Sequence, residues 1–261
     1  MNKKFYFHVC KELIYCDLLI FKQTFIDKYI DLAIWVILTI VVTGYVMPFF
    51  GLANTFGVFQ LGSVIAATGL FELYTSAIDL VSDFEGDRII NYNLTLPIPS
   101  WLAIISKTMY YTIVYCILAI AIFPIGKLCL WNQLDLMNVQ YPRFLLVVLF
   151  QSTFYACFLL WAASITANIS KLGTIWARFI FPMWFMGGFQ FSWTALHKAL
   201  PLVSYINLAN PMMYITEAIR STIFEQMDYI NYWLCLGMIA FFSLLFLTQG
   251  IRNLKKRLDF V

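Results

Sequence analysis

Apolar positions fall into six long runs, near Ile30–Phe50, Phe56–Leu80, Trp101–Ile125, Phe144–Ala167, Ile175–Trp193 and Ile230–Gly250. A helix needs roughly 20 apolar residues to cross the hydrocarbon core of a bilayer, and each run meets that length. Residues 1–29 follow a different pattern. Lys4, His8, Lys11, Tyr15 and Lys22 share one narrow helical face, while Val9, Leu13, Ile14, Ile20, Phe21 and Phe25 cover much of the rest, with Asp17 as the exception. That distribution predicts a helix lying in the membrane interface. A six-helix transmembrane domain over residues 30–261 then follows. No cleavable signal peptide is visible, because charge interrupts the first segment throughout and the first long apolar run is a full span.

Composition agrees with the pattern. The 261 residues are 62% hydrophobic and 12% charged, against roughly 45–50% and about 25% in ordinary soluble domains. Too little polar surface remains to cover a water-exposed exterior. A soluble enzyme, a disordered chain and a disulfide scaffold are excluded. The net charge of +3 is small and dispersed, which argues against nucleic acid as a partner. The expected class is an all-α integral membrane protein in contact with membrane lipids.

The basic residues set the orientation. With both termini cytoplasmic, thirteen Lys and Arg fall on inner segments and four (Lys127, Arg143, Lys198 and Arg220) on outer loops. The positive-inside rule therefore predicts a multi-pass inner (plasma) membrane protein with both ends inside.

The interruptions carry more information than the spans. The loop at 82–100 holds four charges within Asp83–Arg88, then an apolar-polar stretch and Pro97-Ile98-Pro99. A bare connector needs only a few residues, so this segment reads as a surface for another protein. The segment at 194–229 falls outside by topology yet is largely apolar, in runs too short to cross. Such runs suggest re-entrant half-helices, with Asn210 as a cap and Pro211 in the first turn. Gly187-Gly188 would loosen the backbone just before it. Glu72 and Asp79 lie seven residues apart on one face of the second span. Asp79 reads as hydrated near the cytoplasmic end. Glu72 is deeper, facing a pathway or the bundle interior, or else snorkelling to the interface. Gly62, Ser63, Ala66, Ala67 and Gly69 on the same span are small enough for close helix packing.

Chemistry is sparse. The six cysteines form no C-x-x-C and the two histidines are far apart, so no metal site is expected. No phosphate-binding G-x-x-x-x-G-K-[ST], H-E-x-x-H or G-x-S-x-G motif occurs, and no catalytic or cofactor-binding residue is assigned. A secondary transporter would need midplane ion-coordinating groups, often in repeated halves; a lipid-modifying enzyme would need a clustered acid–base constellation. Energy for active transport would enter through a partner.

Two of these segments resemble the type-2 ABC-transporter permeases, membrane subunits of polysaccharide, lipid and drug exporters. The loop after the second span is similar to theirs at Asp83, Glu85, Gly86, Leu94, Leu96, Pro97, Ser100 and Lys107. Before the last span, Pro201 precedes an Asn-Pro-x-x-Tyr-x-x-Glu-x-x-Arg signature formed by Asn210, Pro211, Tyr214, Glu217 and Arg220. The resemblance implies six transmembrane helices, an N-terminal interface helix, a cytoplasmic coupling helix and a re-entrant helical pair. It also implies a homodimer, or a pair with a related permease, bound to two separate ATPase subunits that hold ATP and Mg. Asp83, Glu85, Gly86, Pro97 and Lys107 would serve coupling to the ATPase. Pro201, Asn210, Pro211, Tyr214, Glu217 and Arg220 would close the pathway on the outer side, and Glu72 is a candidate pathway residue.

Overall fold

The computed structural model describes residues 3–85, 99–166, 168–223 and 229–258, and every regular element among them is helical. Helix α1 (Lys3–Val41) has 39 residues and contains neither glycine nor proline. At 1.5 Å per residue it extends about 58 Å, well beyond a hydrocarbon core of roughly 30 Å. The boundary expected after residue 29 is therefore not a break: with no residue to stop the helix, the amphipathic leader and the first apolar run are one rod. A π turn (Val42–Val46) and a 3-10 turn (Met47–Phe50) end it, and Gly51 takes the left-handed φ of 94° that closes the turn.

Helices α2 (Phe56–Glu85), α3 (Ser100–Cys129) and α4 (Tyr141–Ile165) match the next three apolar runs to within a few residues. The fifth run does not form one helix. It is divided into α5 (Leu172–Ile175), a π turn (Trp176–Ile180) and α6 (Phe181–Met186). At Gly188 the backbone has φ +77°, and a Cβ there would lie 2.9 Å from Met213 Sδ and 3.0 Å from Thr216 Oγ1. A helix cannot continue through that conformation. Two short helices follow, α7 (Trp193–Ala199) and α8 (Pro201–Asn207), then α9 (Pro211–Ile223) and the long α10 (Tyr232–Leu258). Among the described residues, five helical segments are long and apolar enough to cross a membrane. The expected fifth crossing is the one missing from these, and it corresponds to the short, interrupted stretch from Leu172 to Met186.

Helix α2 is the centre of the bundle. It touches α1, α3, α4 and α9, and 78% of its most apolar window is buried, against 22% for α1 and 28% for α10. Leu61, Val64, Ile65, Leu70 and Leu73 are fully enclosed, whereas Ile34 and Leu38 on α1 and Phe241 and Leu244 on α10 are exposed. Apolar side chains facing outward on peripheral helices are what a lipid solvent requires. The small residues of α2 receive its neighbours: Tyr155 of α4 lies against Gly69, and its hydroxyl donates to the Ala66 carbonyl at 2.6 Å.

The backbone at Gly188 gives a direct test. A Gly188→Ala change should destabilise the detergent-purified protein by at least the roughly 1–2 kcal/mol of a left-handed alanine, read as earlier loss of the monodisperse peak on heating. Gly173→Ala, with nothing within 4 Å of its added Cβ, should leave the profile unchanged.

Candidate functional site

Helix α9 packs among α2, α4 and α10, and Ser221 is its only residue that is not buried. It starts beside α6, the last part of the interrupted stretch. Asn210 Oδ1 accepts from the Met212 amide (3.0 Å), while Asn210 Nδ2 donates to the Met183 carbonyl (3.0 Å). One amide thus caps α9 and ties its first turn to α6. Pro211 occupies the first position of α9, where no N–H is needed, and Pro201 opens α8 in the same way. Tyr214 donates its hydroxyl to the Leu208 carbonyl at 2.8 Å, holding the turn between α8 and α9. Asn207 Nδ2 donates to the Met186 carbonyl at 2.7 Å. The last residue of α8 and the cap of α9 are therefore both tied to α6.

Glu217 and Arg220 occupy the other half of α9, and both side chains have zero exposure. Their closest approach is 3.8 Å, so the ion pair is loose and backbone groups do most of the satisfying. Arg220 Nη1 donates to the Phe191 carbonyl (3.0 Å). Its Nη2 donates to the Phe189 carbonyl (3.1 Å), the Gly188 carbonyl and the Ser63 hydroxyl of α2. The guanidinium lies 3.5 Å from the centroid of the Phe59 ring, a cation–π contact. Glu217 accepts the Trp193 amide at 3.0 Å and the Ile230 amide at 3.4 Å. Gly62 allows this approach, because a Cβ there would come within 2.9 Å of Arg220 Cγ. The small stripe of α2 thus makes room for a charged side chain as well as for helix packing.

Polar groups at the opposite end of α2 are partly exposed. Lys107 of α3 lies 3.0 Å from Asp17 of α1 and 3.7 Å from Asp83 of α2, with side chains 13–19% exposed. Of the coupling residues named from sequence, Asp83 and Lys107 therefore meet. Gly86 and Pro97, and the side chain of Glu85, lie outside the described residues. Asp17 was missed as a partner, although it was the one acidic residue on an otherwise apolar helical face. Glu72 is bound to Lys28 of α1, and both line a cleft between α1, α2 and α3. The aromatic residues of the 189–214 region do not form one cluster. Trp193 stacks on His197 and Tyr205 meets both edge-on, whereas Phe189 packs on Trp35 and Trp184.

A family model described as ABC-2 type transporter matches residues 19–224. The chain belongs to the ABC-2 type transporter family. It is accordingly a multi-pass membrane protein and a permease component of an ABC transporter rather than a catalytic domain. No curated protein matches it at a significant level. The matched span of this ABC-2 chain begins within α1 and ends one residue past α9, so it contains the buried Glu217–Arg220 assembly, while Asp17 lies just before it.

Two predictions follow from these clusters. Removing one member of a buried ionic assembly typically costs about 3–5 kcal/mol because its partners stay buried and unpaired. Arg220→Met should therefore sharply reduce the folded, monodisperse fraction. Glu217→Gln should cost less, since its amide oxygen still accepts one backbone N–H, and the double variant should lose less than the sum of the two singles. At the other end, Lys107→Met leaves Asp17 and Asp83 facing each other. It should accelerate hydrogen exchange in α1 around Asp17, and Asp17→Asn in the same chain should partly reverse the effect.

Proposed function

We propose that this chain is the transmembrane permease subunit of an ATP-driven exporter, with both termini cytoplasmic. It forms a homodimer, or a dimer with a related permease, on two separate ATPase subunits that bind ATP and Mg. The cargo is an amphipathic, lipid-linked or polysaccharide molecule or a drug. The observation that carries this reading is the family match across residues 19–224, which encloses the buried charged helix α9.

In this reading the stretch Leu172–Met186 is a shortened fifth crossing and α7–α9 form a re-entrant plug at the extracellular side. Exposed apolar residues on α8, such as Leu202 and Ile206, suit a segment immersed in lipid or against a second copy. Residues 82–100 dock in a groove of the ATPase. Nucleotide-driven movement there would reach α1 through the Asp83–Lys107–Asp17 contacts.

Coexpression with the P-loop ATPase of a neighbouring reading frame, followed by pull-down and reconstitution, tests the proposal. The two subunits should co-purify and transport should require hydrolysis. Glu85→Ala and Gly86→Val should leave insertion and dimerisation intact while lowering transport per ATP hydrolysed by at least about tenfold, a difference of 1.4 kcal/mol in coupling. A transport-active particle containing no ATPase would refute the subunit role.

A further inference from the structure

The cleft between α1, α2 and α3 has a volume of about 630 Å³, within the usual range of roughly 300–1,000 Å³ for small-molecule sites. Its lining mixes aromatic and charged side chains. Trp35 and Phe71 pack with ring centroids 4.5 Å apart, and Tyr110 and Tyr111 have adjoining rings 4.9 Å apart. Its charged residues are Lys28, Asp31, Glu72 and Asp79. One lysine against three carboxylates leaves a net negative lining. The lysine is already engaged, because its ammonium binds Glu72. Asp31 and Asp79 are exposed and have no ion-pair partner among the described residues. The adjoining Asp17–Lys107–Asp83 contacts also carry more acid than base. This contrasts with the chain as a whole, which carries a formal charge of +3.

An apolar body with a cationic head matches this surface: aromatic faces attract a cation through their quadrupoles, and free carboxylates supply the opposite charge. An anionic head would meet uncompensated carboxylates. We propose that this cleft is a binding site for a lipophilic cation, an amine- or quaternary-ammonium-bearing amphiphile, with Asp31 and Asp79 as the charge partners. That the bound cation is cargo rests on the permease reading above. The binding itself does not.

A pair of ions matched in size and shape tests the idea. Purified full-length chain in lipid nanodiscs is titrated with radiolabelled tetraphenylphosphonium and, in parallel, with the anion tetraphenylborate. Saturable binding of the cation is expected, with the anion at least about tenfold weaker, as the sign of the Coulomb interaction requires. Asp31→Asn and Asp79→Asn should each weaken cation binding several-fold and narrow the preference. Asp79→Glu should retain it, separating lost charge from lost structure, with size-exclusion profiles confirming intact protein. Equal binding of the two ions, no saturable cation binding, or full binding in both Asn variants would overturn the proposal. Because no ATPase is present, such a failure leaves the permease reading intact. Conversely, cation binding by a chain that never co-purifies with an ATPase would preserve the site and remove only its role in transport.

Discussion

A guanidinium and a carboxylate with no solvent exposure sit on a helix too short to cross a membrane, and the surrounding architecture serves to satisfy them. Desolvating an ion costs several kcal/mol, so the charges need full hydrogen bonding where they lie. The two Nη atoms of Arg220 find partners in the carbonyls of Gly188, Phe189 and Phe191, whereas its Nε has none among the described residues. Those carbonyls are available only because the preceding helix stops at Met186 and the chain leaves helical geometry at Gly188. The interrupted fifth run and the buried arginine are thus two sides of one arrangement. Glu217 acts similarly on donors. The Trp193 amide belongs to the first turn of α7, where helix N–H groups have no internal partner. The Ile230 amide lies just before α10.

The hydropathy pattern was sufficient to locate the spans of α2, α3, α4 and α10, because uninterrupted apolar runs of that length have few alternatives in a bilayer. It was insufficient at the boundary between the first segment and the first run, and in the fifth run. The leader's amphipathic face and the first span differ in composition, but residues 3–41 contain no helix breaker, so backbone geometry carried the helix through the compositional boundary. In the fifth run, mean apolarity concealed a π turn, although Gly187-Gly188 had marked the loosened backbone where Gly188 takes its positive φ. Within the signature before the last span, spacing placed Asn210 next to the Met212 amide and Glu217 one turn from Arg220, both local relations that a helix enforces. The carbonyl cage around Arg220, Ser63 across the bundle, and Asp17 beside Lys107 are contacts between residues far apart in sequence. No local periodicity encodes these.

The two ends of α2 hold charge in physically different states. Near Asp83 and Glu72 the ion pairs connect separate long helices and keep 13–24% side-chain exposure. Water and counterions screen such pairs, and their partners exchange at low cost. At Ser63 and Arg220 the charge is sealed, and separating it from its acceptors would strand buried polar groups. A conformational change in this bundle therefore has an inexpensive end and a costly one. Relative motion of α1, α2 and α3 rearranges partly exposed pairs. Motion at the other end must carry α9 together with the Gly188–Trp193 backbone that cages it and with the Phe59–Ser63 turn of α2, because Arg220 donates to Ser63, lies on the Phe59 ring and packs at Gly62.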